Sequence, residues 1–176
     1  TSPPLRYCQF KVMRSETEAA EPGELGEVWM RGAMVTPGYW QREDATAEAF
    51  HEGWFRSGDI GKVDADGCLA IEDRIKDMYI SGGENVYPAE VEAVLYEMDA
   101  ITEVAIIGVP DAKWGEVGCA VIALKPDHEM NLADIHAQCE NRLAKYKWPR
   151  SIRVMDSLPR NSTGKVQKFV LRQNQT

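Results

Sequence analysis

Residues 73–88 read Asp73-Arg74-Ile75-Lys76-Asp77-Met78-Tyr79-Ile80-Ser81-Gly82-Gly83-Glu84-Asn85-Val86-Tyr87-Pro88. A charged cluster runs into a short apolar strand, then two glycines, then a proline that opens a helix. Gly82-Gly83 lets the backbone take positive φ and lets another molecule come close to the main chain. Pro88 suits a first helical position, where its missing N–H would have had no partner in any case. On these residues alone the stretch is a strand–turn–helix corner.

Upstream of this corner, 60–64 and 68–72 flank Ala65-Asp66-Gly67, an Asp-Gly hairpin signal, with Val63, Leu69 and Ile71 expected on the buried face. The hairpin joins Arg74 to Gly53-Trp54-Phe55-Arg56-Ser57-Gly58-Asp59. An aspartate after glycine is ordinarily a turn residue. Its carboxylate can also accept two hydrogen bonds at once, as from the 2′- and 3′-hydroxyls of a ribose. A lone arginine such as Arg74 is ordinarily a surface ion-pair residue, but the hairpin lets it reach the same place as Asp59. Earlier still, 7–13 and 27–31 read as strands, with a turn at Glu21-Pro22-Gly23-Glu24 and a break at Pro37-Gly38-Tyr39-Trp40. The alanine- and glutamate-rich 43–50 reads as a short helix.

Downstream, Val91, Val94, Leu95 and Met98 fall at i, i+3, i+4 and i+7, one face of an amphipathic helix. Residues 104–109 and 118–124 are continuous apolar runs, which suit strands covered on both faces. In the loop between them, Trp114 and Glu116 are read as fixing its shape. Asn131 can cap a helix with Asp134 at the capping-box position, and Leu132, Ile135, Cys139 and Leu143 form its buried stripe. Tyr146-Lys147-Trp148-Pro149 ends that helix, and 152–155 returns as a strand. Strands interleaved with helices predict a compact α+β unit here.

The totals narrow the class. Hydrophobic residues make up 44% of the 176 and charged residues 27%, as in a globular protein. Asp plus Glu outnumber Lys plus Arg 28 to 20, for a net charge of −8. That excludes broad nucleic-acid binding, which needs a basic surface. Four scattered cysteines, with no CxxC, read as reduced cytoplasmic thiols and not as a zinc site or disulfide framework. The histidines show no ligand spacing. No apolar run approaches the roughly 18 residues that a membrane span needs. The opening Thr1-Ser2-Pro3-Pro4-Leu5-Arg6 has no signal-peptide pattern and reads as a cut into a longer protein.

The tail carries Pro159-Arg160-Asn161-Ser162-Thr163-Gly164-Lys165. A phosphate-binding P-loop would need glycine where Pro159 stands, and no suitable strand precedes it. Any Gly-Lys pair is ordinarily a turn with a solvated lysine, and Lys168 and Arg172 beyond it read as solvated surface.

Taken together, these strings resemble the adenylate-forming superfamily: acyl-CoA synthetases, luciferases, aryl-CoA ligases and peptide-synthetase adenylation domains. The resemblance covers nearly the whole chain, with its motifs in the family's order. It implies that 1–75 is the C-terminal segment of the large AMP-binding domain, the final part of a β-rich subdomain. Residues 76–176 would be a small α+β C-terminal lid: a short hairpin plus about three further strands with helices. The implied activity is that of an ATP-dependent, AMP-forming acyl-CoA synthetase. Such an enzyme joins a fatty or aryl carboxylic acid to CoA through an acyl-adenylate.

In that frame Lys165 is the catalytic lysine, with Val166, Phe169 and Val170 anchoring the short helix after it. Asp59 and Arg74 hold the ribose of ATP or AMP, and Trp54 shapes the nucleotide or acyl site. Lys76 is the hinge of the lid, and Ser81, Gly82 and Gly83 line the tunnel for the CoA pantetheine. The phosphate loop, the acyl pocket and the Mg²⁺-associated glutamate of the family belong to an upstream domain. The 176 residues alone are therefore expected to be inactive. Luciferases and plant aryl-CoA ligases carry lysine where this chain has Gly82, which favours a fatty-acyl ligase. The Ser-Gly-Gly-Glu-Asn string is unusual for peptide-synthetase adenylation domains. The reading from another class is a non-catalytic binding module.

Overall fold

The computed structural model describes residues 7–173; the N-terminal hexapeptide read above as a cut lies outside them. The chain divides into two units, Thr1–Ile75 and Lys76–Thr176.

In the first unit, β1 (Cys8–Met13) pairs antiparallel with β2 (Gly26–Gly32), and β2 with β4 (Trp54–Val63). Between them α1 (Glu43–Ala49) leads into β3 (Phe50–His51), which folds back on β4. The predicted helix is thus present, but Phe50 already belongs to the strand. On the other side of β4 lies β5 (Leu69–Arg74), joined through the expected Asp-Gly turn. There the Asp64 carboxylate accepts from the Asp66 N–H at 3.0 Å and the Cys68 N–H at 2.8 Å. Val12, Met13, Val28, Trp29 and Ile60 are buried. Ile71 departs from expectation and is 56% exposed. It sits on the edge strand opposite Gly61, which offers it no cross-strand side chain.

In the second unit, β6 (Tyr79–Ser81) and β7 (Glu84–Val86) form a tight hairpin ahead of α2 (Pro88–Leu95). So the corner read at 73–88 is a strand–turn–strand followed by the helix that Pro88 opens. The apolar runs become β8 (Ile101–Asp111) and β9 (Gly115–Leu124), a long antiparallel pair. Single residues of these runs point alternately to opposite faces. Val104, Ile106, Ala120 and Ile122 enter one core with Val91, Leu95, Ile135 and Cys139. Ala105, Ile107, Cys119, Val121 and Ala123 enter another with Leu158 and Leu171. This two-sided burial is why the runs do not alternate with polar residues. The sheet is completed by β10 (Ser151–Val154), parallel to β9.

The helix α3 (Leu132–Cys139) carries the full capping box: Asn131 Oδ1 accepts from Ala133 and Asp134 N–H, and Asp134 returns the bond to the Asn131 N–H. A short 3-10 turn, Lys145–Lys147, precedes β10. The terminal helix α4 (Lys168–Gln173) is anchored differently from the sequence reading. Val166 packs against the second core as expected, but Phe169 is exposed and Leu171 is the helix residue that is buried there. The helix is also tied by charge, since Lys168 Nζ lies 2.7 Å from Glu92 and Arg172 lies 3.3 Å from Asp77. Neither cation is the free surface group expected.

Tyr79 fills the first core at 2% exposure, and among the described residues its hydroxyl has no hydrogen-bond partner. Burial, and next the nearby Glu116 carboxylate, push this phenol well above its ordinary pKa. A buried donor left unpaired is costly, whereas an apolar replacement of the same shape is not. Tyr79→Phe is therefore expected to raise stability by about 1 kcal/mol. A denaturation midpoint that stays put or falls would mean that the hydroxyl has a partner after all.

Candidate active site

In the first unit the site residues collect at a distortion in β4. Pairing with β2 is regular at Arg56 and again at Ile60, but slips between them, so Ser57-Gly58-Asp59 forms a bulge. Gly58 takes φ +70°, which favours glycine, and the Ser57 hydroxyl accepts the Asp59 N–H at 3.0 Å. Bulges re-aim a side chain out of the regular pleat. Here the aimed group is Asp59. The register sets Asp59 directly opposite Arg74, and Arg74 Nε donates to Asp59 Oδ1 at 2.7 Å. Both side chains remain open to solvent, at 30% and 51% exposure. A carboxylate held by one bond keeps lone pairs for further donors.

Trp54 stands five residues earlier on β4, with Lys11 Nζ and Arg31 Cζ each 4.6 Å from its ring. Lys11 also lies 4.7 Å from the Trp29 ring, and Arg56 bonds Glu27 at 3.0 Å. Trp54 thus belongs to a layer of aromatic rings and cations, and the structure does not bring it to the Asp59–Arg74 pair.

The second unit presents two separate loops. Lys76 is its first residue, exposed in a turn. The Gly82-Gly83 tip joins β6 to β7 with φ of +62° and +89°, the doubly positive geometry of tight hairpin turns. Ser81 beside it is buried at 5% exposure, so the exposed tip is formed by the glycines. The tip is held from below: Gly82 N–H donates to the Trp114 carbonyl at 2.9 Å. A Cβ on Gly82 would meet Trp114 Cε3 at 2.7 Å, so only glycine fits under the indole. Trp114 is fixed in turn by Asp111, which accepts its N–H at 2.9 Å and that of Lys113 at 2.8 Å. Those bonds, Trp114's first, hold the Asp111 carboxyl below the usual carboxylate range. The turn is therefore supported above the ordinary carboxylate pKa, near 4, and loses that support as the pH falls through the lower folded value.

The other loop carries Lys165. Asn161 Oδ1 accepts from Thr163 N–H at 3.1 Å, Thr163 Oγ1 at 2.8 Å and Lys165 N–H at 2.9 Å. The Asn161 N–H donates to the Lys165 carbonyl at 2.9 Å and closes the loop. The backbone of Lys165 is thereby fixed while its side chain is exposed, and among the described residues no carboxylate lies within 4.0 Å of its ammonium. Arg160 joins this loop to β8. It donates from Nε to Glu103 at 2.9 Å and from Nη1 to the Gly164 carbonyl at 2.7 Å. The sequence reading did not single out this pair. Its one signal was a carboxylate, Glu103, immediately before the apolar run 104–109.

The two loops sit at opposite ends of the long strand pair. The Lys165 loop is anchored at Glu103, whereas the glycine tip bonds where β9 begins, at Gly115, the partner of Asp111. Asp111 lies eight residue steps along the strand from Glu103, roughly 25 Å.

Residues 90–165 match the AMP-binding enzyme C-terminal domain, and over nearly its whole length the chain is similar to acyl-CoA ligases. It is 45% identical over 169 residues to a 2-succinylbenzoate–CoA ligase of Bacillus pumilus, covering 96% of this chain and 34% of that protein. It is 48% identical over 167 residues to the long-chain-fatty-acid–CoA ligase FadD13 of Mycobacterium tuberculosis, covering 95% and 33%. Its fold superposes with a TM-score of 0.87 on o-succinylbenzoate CoA synthetase of Bacillus subtilis in complex with its acyl-adenylate intermediate, at 40% identity over 97% of this chain and 34% of that one. The chain thus spans about a third of the length of the relatives it matches. Among the described residues no helix is long and apolar enough to cross a membrane, and no group of three His, Cys, Asp or Glu side chains is placed to hold a metal ion. None of the described residues is therefore assigned to the Mg²⁺ that the family resemblance implies.

Proposed function

We propose that this chain is the C-terminal portion of a cytoplasmic, AMP-forming acyl-CoA synthetase, with 1–75 completing the large nucleotide-binding domain and 76–176 forming its lid. The observation that carries the reading is the separation of the Lys165 loop from the glycine tip on one unit, each locally rigid and each exposed. Two half-reactions at one carbonyl need different groups in turn. First, a carboxylate attacks the α-phosphate of ATP and pyrophosphate leaves. Two anions must meet, and the Lys165 ammonium bridges the carboxylate and an α-phosphate oxygen. Such a contact is worth on the order of 4 kcal/mol at about 4 Å near a protein surface. Then the CoA thiol attacks the acyl-adenylate and AMP leaves. Here Lys165 is withdrawn and Gly82-Gly83 supplies a side-chain-free wall for the pantetheine arm. Rotation about Lys76 exchanges the two ends, a hinge motion in which one short segment absorbs the dihedral change.

Asp59, aimed by its bulge and braced by Arg74, takes the ribose hydroxyls. Trp54, apart from that pair, shapes the nucleotide or acyl site from within its cationic layer. The acid is a fatty acid or an aryl acid. Relatives named for each are almost equally similar, so these 176 residues do not choose between them.

The test is ATP–pyrophosphate exchange across a panel of fatty and aryl acids, on a polypeptide joining this chain to the upstream domain of its own gene. Exchange is expected with at least one acid. Asp59→Ala is expected to raise the KM for ATP on the order of 10- to 100-fold, the loss of charge-assisted hydrogen bonds worth about 1.5–3 kcal/mol. No exchange with any acid, although the protein binds ATP, would leave a nucleotide-binding module in place of a ligase.

A further inference from the structure

We propose that Glu103 is a positioning residue for Lys165, acting through Arg160. The inference rests on the catalytic reading of Lys165 given above. The loop from Asn161 to Lys165 is exposed throughout. Asn161 makes it a single stiff piece, but that piece must still be set at an angle to the sheet. On one side it follows Leu158, which is buried at 4%. On the other it meets the bridge between Arg160 and Val166. The remaining constraint is the Arg160 guanidinium. Nε and Nη2 both donate to the same Glu103 oxygen, at 2.9 and 2.5 Å, while Nη1 holds the Gly164 carbonyl one residue before Lys165. A planar fork fixes direction as well as distance. Glu103 therefore sets the guanidinium, the guanidinium sets Gly164, and Gly164 sets the point from which the Lys165 side chain starts.

Stability is a poor explanation for this pair. The pair is open to solvent on the Arg160 side, at 43% exposure, and largely covered on the Glu103 side, at 20%, so its contribution to folding is modest. Orientation is a better one, because a displacement of about 1 Å at a reacting group can cost 100-fold in rate.

The experiment uses the full polypeptide and measures exchange, thioester formation from supplied acyl-adenylate, and thermal stability. Glu103→Ala is expected to lower kcat for exchange on the order of 10- to 100-fold. The KM values for ATP and acid, the thioester step and the melting temperature should stay close to those of the parent. Glu103→Gln keeps an acceptor oxygen at the same reach, so it should fall between the two. It also serves if the alanine variant does not fold. The decisive readout is a double-mutant cycle: in a Lys165→Ala background, Glu103→Ala should slow exchange no further. Losses that multiply in the double variant, or equal losses in both half-reactions, would make Glu103 a structural residue and overturn the proposal. If Lys165→Ala alone slows exchange but neither Glu103 variant does, only the positioning role is lost. If Lys165→Ala leaves exchange intact, the catalytic reading falls, and this proposal with it.

Discussion

Lys165→Ala, in the full polypeptide, is expected to slow acyl-adenylate formation by roughly 100–1,000-fold, as removal of one preorganised transition-state stabiliser does. Thioester formation from supplied acyl-adenylate should change far less. The asymmetry follows from an exposed ammonium, unpaired among the described residues, on a locked backbone. The charge is needed only while two anions are brought together. In the thiol step the CoA sulfur attacks the adenylate's carbonyl and AMP leaves, and in the proposed reading Lys165 has by then been withdrawn. The bonds that lock the loop come from Asn161, Arg160 and the main chain, so truncating the lysine side chain should leave the fold untouched. Pyrophosphate exchange and thioester release, measured on one preparation, decide the matter. A matched decline in both would remove Lys165 from its role.

Gly82→Ala should produce the mirror image. The added methyl meets Trp114 Cε3 at 2.7 Å and Cζ3 at 3.0 Å, and the backbone at φ +62° is one that side chains seldom adopt. Strained backbone of that kind costs of order 1–3 kcal/mol. Either the indole moves or the hairpin tip lifts, and both roughen the wall that a pantetheine arm would follow. Thioester formation is expected to fall about 100-fold while exchange stays within a few-fold. Exchange that drops as far as thioester formation would show a general loss of the lid, not a defect confined to the second step.

How far the sequence disclosed this structure depended on the range of each interaction. The runs at 104–109 and 118–124 announced doubly covered strands because every residue in them is apolar, and each face indeed has its own core. Asn131 and Asp134 announced a capped helix because all the partners lie within three residues. Asp59 and Arg74 were legible as neighbours because a hairpin signal stands between them. What escaped was charge acting over distance. Arg160 and Glu103 are 57 residues apart, and Arg172 and Asp77 are 95 apart. No local pattern marks which acid a given base will meet. The exposed Phe169 and buried Leu171 escaped for a related reason: a six-residue helix is too short for its period to declare a face. Lys165, Lys76 and the glycine tip were identified by resemblance to a family's strings, and spacing or periodicity alone would have left them as turns and surface.

Filling both faces of the β8–β9 pair makes it a beam. Side chains packed as densely as an organic crystal yield little to bending, so the two tips cannot be adjusted one at a time. About any pivot lying between them, an arc that lowers Lys165 must raise the glycines. The alternation of the two tips would then follow from the stiffness of a lever and would require no separate signal at either end.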